Sequence, residues 1–296
     1  MNLIEALTCR GLRSVISVGA LVLSGSAVAE MKMPTSVWAL TGDDTLVNVN
    51  PAMPADVKHT VALTGLVSGD EIVGIDYRVA RGDMYALANT GRIYMIDTQS
   101  GVASLIEGSS PVSYLSGGLY GFDFNPAADK LRVVGAGNLN LRLHPDTGAI
   151  IDFDKKTDGL QTDPKLAFDA QDANAGQMPD IVAAAYTYNS DDEKLTTNFA
   201  IDRTRDVLVM QGTKEGVKPS VSPNLGVLYT IGALGQGDVI DATMDISDID
   251  NVALGTLTLS NGAAPVLVQF DLATGEATAM GNIGSVSSVK AFAIEP

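Results

Sequence analysis

The sequence predicts an all-β fold, a β-propeller of five four-stranded blades, and three observations carry that reading. Helical periodicity is almost absent. Short runs rich in Val, Ile, Leu and Tyr alternate with Gly, Asn, Asp and Pro clusters along the chain. A turn phrase also recurs, in which an apolar strand is followed by Asp, then Thr or Ser, then Gly. It reads YMIDTQSG from Tyr94, LRLHPDTG from Leu141 and VQFDLATG from Val268. Each copy sits late in a longer unit of several apolar runs, the period expected of stacked small sheets.

In chain order, the first element stands outside the fold. Arg10 and Arg13 precede an apolar run from Val15 to Leu23, and Ala27-Val28-Ala29 fits a small-x-small cleavage site. Residues 1–29 therefore read as a signal peptide and residues 30–296 as a single propeller domain. The apolar run is too short for a stable membrane anchor, so the expectation is an exported protein, periplasmic or extracellular, with no transmembrane anchor after cleavage. Cys9 is the only cysteine and falls within the leader. Disulfides, thiol catalysis and thiolate metal sites have no material beyond it.

After the leader, SVWALTGDDTLVNVNP from Ser36 and HTVALTGL from His59 supply strands without an opening partner. Four complete units follow, from Val73 to Ile106, from Tyr120 to Phe153, from Val182 to the strand around Leu228, and from Ala242 to near Met280. VKAFAIEP from Val289 resembles the opening strand of a unit, yet no further strand follows it. Pairing this C-terminal strand with the N-terminal blade closes the ring and removes exposed sheet edges. A sixth blade follows only if the irregular stretch Lys155–Asp180 folds as one. The recurrent phrase is expected to join the third and outer strands of a blade, its Asp carboxylate bonding backbone N–H groups and its glycine taking φ > 0. One acidic residue per turn falls well short of the oxygen-rich cage of calcium.

GFDFNPAADKLRVV and NLNLRLHPDTG, between Gly121 and Gly148, closely resemble a bacterial exported family known as domain of unknown function 4394. LTGLVSGDEIVGIDYRVARGDMYAL and DANAGQMPDIVAAAYT resemble other blocks of that family in the same order. The resemblance implies a secreted, propeller-like repeat protein with no assigned activity, and it brings no catalytic residues to carry over. Two departures stand out, Tyr188-Asn189 after AAAYT and a short loop in RVVGAGNLN.

The chain holds 19 basic and 35 acidic residues, a net charge of −16. Such a field opposes nucleic acid and anionic lipid and favours solubility or cation capture. The partner is expected to be a protein, a glycan or a small ligand. Aligning the opening strands places Asp76, Asp123, Tyr186, Asp245 and Ala293 at one register, which in a propeller lines the central channel. Three carboxylates on one ring repel unless neutralised. A hard cation such as Ca²⁺ would do so, and local bonds to backbone donors are the structural alternative. Asp76, Asp123 and Asp245 are thus the first candidate ligands.

Arg132 and Arg142 lie in adjacent expected strands within apolar runs. They read either as an anion-binding pair or as structural ion pairs to Asp123 or Asp129. Asp169, Asp172 and Asn174 form a partial calcium-loop pattern lacking the bidentate Glu, and Asp152, Asp154 and Asp158 form another interrupted by lysines. His59 and His144 are the only histidines, too few for a zinc site, and no nucleophile elbow or P-loop is present. The chemistry reads as that of a binding module, with a carboxylate-dependent hydrolase or lyase at the channel mouth as the alternative. For sugar stacking the chain offers little, since Trp38 is its only tryptophan.

Overall fold

The computed structural model describes residues 32–115 and 118–296, so the expected signal peptide at 1–29 lies outside the described residues. Five sheets, antiparallel but for one short added strand, follow one another as blades. Strands β1 (Val37–Thr41), β2 (Thr45–Asn50) and β3 (Met53–Ala62) open the first. The second holds β4 (Ile72–Arg78), β5 (Asp83–Ala88), β6 (Ile93–Asp97) and β7 (Val102–Leu105). The third holds β8 (Tyr120–Asn125), β9 (Lys130–Gly135) and β10 (Leu139–Leu143). The stretch expected to be either loop or sixth blade contributes only β11 (Ala167–Phe168). The fourth blade is β12 (Ile181–Tyr186), β13 (Asn198–Asp202), β14 (Val207–Gln211) and β15 (Val227–Ala233), with β11 added in parallel outside β15. The fifth is β16 (Val239–Ile246), β17 (Ala253–Leu259), β18 (Val266–Phe270) and β19 (Ala277–Asn282). Finally β20 (Val289–Ile294) returns to pair with β1.

The closure is as the sequence predicts: Val37 pairs with Ile294, Trp38 with Ala293 and Ala39 with Phe292. The five innermost strands β4, β8, β12, β16 and β20 neighbour one another in cyclic order. The blades are not uniform. The third has three strands, its expected fourth reduced to a single bridge between Leu143 and Ile150, and the fourth has five.

Burial falls from hub to rim. The strands β4 and β12 are almost wholly buried, whereas β3 and β7 are mostly exposed. An inner strand packs both faces against neighbouring blades, which is why VAAAY reads as a continuous apolar run rather than an alternation. Small residues let these strands converge. A Cβ on Gly121 would stand 2.5 Å from the backbone nitrogen of Ala184, and one on Gly74 would stand 2.6 Å from Phe122 Cβ. Two of the three recurrent turns are built as expected. Asp97 Oδ1 accepts the N–H groups of Gln99 and Ser100, and Asp271 Oδ1 accepts those of Ala273 and Thr274. In the second copy His144 holds the aspartate's place, and its Nδ1 accepts the Asp146 N–H at 3.2 Å.

Candidate functional site

The inner strands carry their aspartates to one point. Asp76 on β4, Asp123 on β8 and Asp245 on β16 are 5 %, 4 % and 6 % exposed, and each offers a carboxylate oxygen within 4.8 Å of the others. Two oxygens bound to one calcium at about 2.3–2.6 Å are at most about 5 Å apart, so the separation suits a shared ion. Among the described residues no lysine or arginine is paired with any of the three.

Each carboxylate also ties its blade to the next. Asp76 Oδ1 accepts the Tyr77 N–H at 2.7 Å and its Oδ2 accepts that of Phe124 at 2.6 Å. Asp123 Oδ2 accepts the Tyr186 N–H at 2.9 Å. Asp245 accepts the N–H groups of Ile246 and Ile294, both at 2.6 Å. The pattern corrects the expected register. Phe124 and Ile294 each follow the ring position of their strand, so Tyr186 does as well. Ala185, not Tyr186, stands on the ring in β12. The ring reads Asp76, Asp123, Ala185, Asp245 and Ala293, and the expected local bonds to backbone donors and the expected cluster coexist.

Electrostatics follow from this burial. Desolvation holds Asp76 and Asp123 well above the ordinary carboxylate range, reinforced in Asp76 by the charge of Asp245 and in Asp123 by those of Asp76 and Asp245. Burial, with Asp248 adding repulsion, pushes Asp245 up to about 8 against the pull of the Ile294 N–H. Asp248, just past β16, rises to about 7 through its own desolvation. Sequence reasoning missed it because it lies off the repeated register.

A cavity of about 250 Å³ opens over these groups, toward the C-terminal ends of the inner strands, and Arg78, Tyr186 and Asp248 help to line it. Toward the strand starts the channel closes to about 20 Å³ among Ile75, Phe122, Met244 and Phe292. Arg78 does not face the carboxylates as a free cation. Its guanidinium bonds Asp129, Asp146 (2.6 Å) and the Tyr85 hydroxyl (3.2 Å).

Arg132 and Arg142 meet at a different carboxylate from the two expected. Asp163 accepts Arg132 Nη1 at 2.7 Å and is gripped by Arg142 through Nε and Nη2, at 2.8 and 2.7 Å. Asp163 comes from the irregular stretch, distant in sequence and without a pattern to flag it. Asp123 pairs with Arg132 only as a strand neighbour, and Asp129 belongs to Arg78. Asp172 accepts the Thr230 N–H and hydroxyl and the Asn174 N–H, and Asn174 Nδ2 reaches the same hydroxyl. Asp169 caps Gln171. These three side chains pin a loop to β15. Asp152 and Asp154 likewise accept local backbone donors.

A family model described as "Domain of unknown function (DUF4394)" matches residues 45–293. Among solved structures the chain is similar to TolB from Acinetobacter baumannii, at 13 % identity and TM-score 0.42, covering 83 % of this chain and 52 % of that one. It is similar to a structural genomics protein of unknown function from Bacteroides thetaiotaomicron VPI-5482, at 14 % identity and TM-score 0.47, covering 86 % and 58 %. A third likeness is to the dihydro-heme d1 dehydrogenase NirN in complex with DHE, at 11 % identity and TM-score 0.36, covering 84 % and 44 %. The chain spans about half the length of these structures. No curated protein matches it. Among the described residues no helix is long and apolar enough to cross a membrane.

Proposed function

We infer that this chain, which belongs to the family described as domain of unknown function 4394, is an exported binding module that holds a hard cation at the mouth of its channel. Calcium is the ion its all-oxygen donor set suits. The observation that carries this is the convergence of Asp76, Asp123 and Asp245 within 4.8 Å, buried and, among the described residues, without a basic partner. Left alone they must hold protons or repel; a divalent ion removes both costs at once. Export rests on the leader read from residues 1–29. The cation would sit on the cavity floor, where its open coordination positions face a protein, glycan or small-ligand partner.

Isothermal titration of Ca²⁺ into the EDTA-stripped full chain tests this. One ion per chain is expected, in the range of extracellular modules, about 10⁻⁴–10⁻³ M. The double variant Asp76→Asn/Asp123→Asn, checked for fold by circular dichroism, should give no binding heat. Unchanged heats in the double variant, or none in the wild type, end the idea.

One observation favours a second reading, a carboxylate-dependent hydrolase or lyase. Asp245 and Asp248, pushed by burial up to about 8 and about 7, line an open cavity, and a protonated carboxyl can serve as general acid. Arg78, which would orient an anionic intermediate, is committed to Asp129 and Asp146. This arrangement favours binding over turnover.

A further inference from the structure

A second cavity, of about 530 Å³, opens between the third and fourth blades. It falls within the range of small-molecule sites, about 300–1,000 Å³. Its charge is opposite to that of the chain as a whole. Lys130, Arg132, Arg142, Lys194 and Lys214 line it, with Glu215 the only acidic group on its wall, in a protein whose net charge is −16. Arg132 and Arg142 share one buried carboxylate, Asp163, so two guanidinium charges are balanced by one. Arg142 Nη1 keeps its donors unused, and Lys194 and Lys214 enter no ion pair among the described residues.

We propose that this cavity binds a small hydroxylated carboxylate of the uronate class. The uncompensated guanidinium and the two lysines supply the charge that a carboxylate requires. The polar wall fits hydroxyls. Thr213 and Ser222 use their oxygens only as acceptors, from Val221 N–H and Asn224 N–H, which leaves both hydroxyl protons to donate. Glu215 stands on the same wall, and its carboxylate disfavours a second anionic group there. That balance, an excess of cations beside one carboxylate, selects a monoanion bearing hydroxyls over phosphate.

The test is independent of the channel cation and is run on the full chain in EDTA, so its failure leaves the calcium reading untouched. Binding of D-galacturonate, D-galactose and inorganic phosphate is measured by titration calorimetry at low salt. Galacturonate should bind, and both controls should bind at least about tenfold more weakly, since a lost charge-assisted bond costs about that factor. Arg142→Gln should weaken galacturonate about tenfold and the exposed pair Lys194→Ala/Lys214→Ala about fivefold. If Arg142→Gln fails to fold, the lysine pair decides. Absent galacturonate binding, equal binding of galactose or phosphate, or unchanged affinity in the lysine variant would overturn the proposal.

Discussion

Asp245→Asn is the sharpest single perturbation of the aspartate ring. Its carboxylate accepts two backbone N–H groups, from Ile246 and from Ile294 of the closing strand, both at 2.6 Å. Burial lifts its half-protonation point from 3.8 to about 8. The folded state therefore keeps a proton that the unfolded chain releases as pH rises through this window. Its contribution to stability is complete below pH 3.8, declines by about 1.4 kcal/mol per pH unit, and is lost above pH 8. About four decades of proton affinity amount to on the order of 5 kcal/mol. Asparagine cannot ionise, but it offers one acceptor oxygen and turns an NH₂ group toward the second backbone donor, at a cost of about 1–3 kcal/mol. The two effects oppose each other and have different pH dependence. In EDTA, urea denaturation followed by circular dichroism should find the variant as stable as the wild type, or less so, near pH 5. By pH 9 it should be more stable, by on the order of 3 kcal/mol. A wild type whose stability is flat or rises from pH 5 to 9, or a variant still the weaker at pH 9, would refute the reasoning.

Two further outcomes follow from the packing. Asp163→Asn strips the shared carboxylate from Arg132 and Arg142, leaving a nearly fully buried guanidinium without its counter-charge. It should destabilise the protein by about 3–5 kcal/mol, read from the urea midpoint at constant m-value. Truncation after Ser288 removes β20 and exposes the edge of β1. Size-exclusion chromatography should then show aggregate in place of the wild-type peak, and an unchanged elution profile would contradict the closing role of β20.

Much of this architecture was legible because it is local. The turn at Asp97 and Asp271 is dictated by a side-chain acceptor and a glycine a few residues apart, and it joins the third and outer strands of the second and fifth blades. Even the copy with His144 at that place keeps the geometry, because a ring nitrogen accepts the same kind of bond. The ring aspartates were legible for a related reason, since three of the five inner strands repeat Asp at one register. The fourth blade shows the limit. VAAAYT offers no polar marker, and only the bond from Tyr186 N–H to Asp123 places Ala185 on the ring.

By itself the sequence determined the grouping of strands into blades, the closure of the ring through β20 and the shared register of Asp76, Asp123 and Asp245, because strand periodicity and turn chemistry act over a few residues. Only the tertiary structure decided that Lys155–Asp180 is no sixth blade but the source of Asp163. It also revealed that Asp248 joins the channel mouth and that a basic cavity lies between the third and fourth blades. Those outcomes depend on which side chains meet across blade interfaces. A buried charge takes the partner that packing brings within reach, and nothing in its own neighbourhood of sequence names that partner.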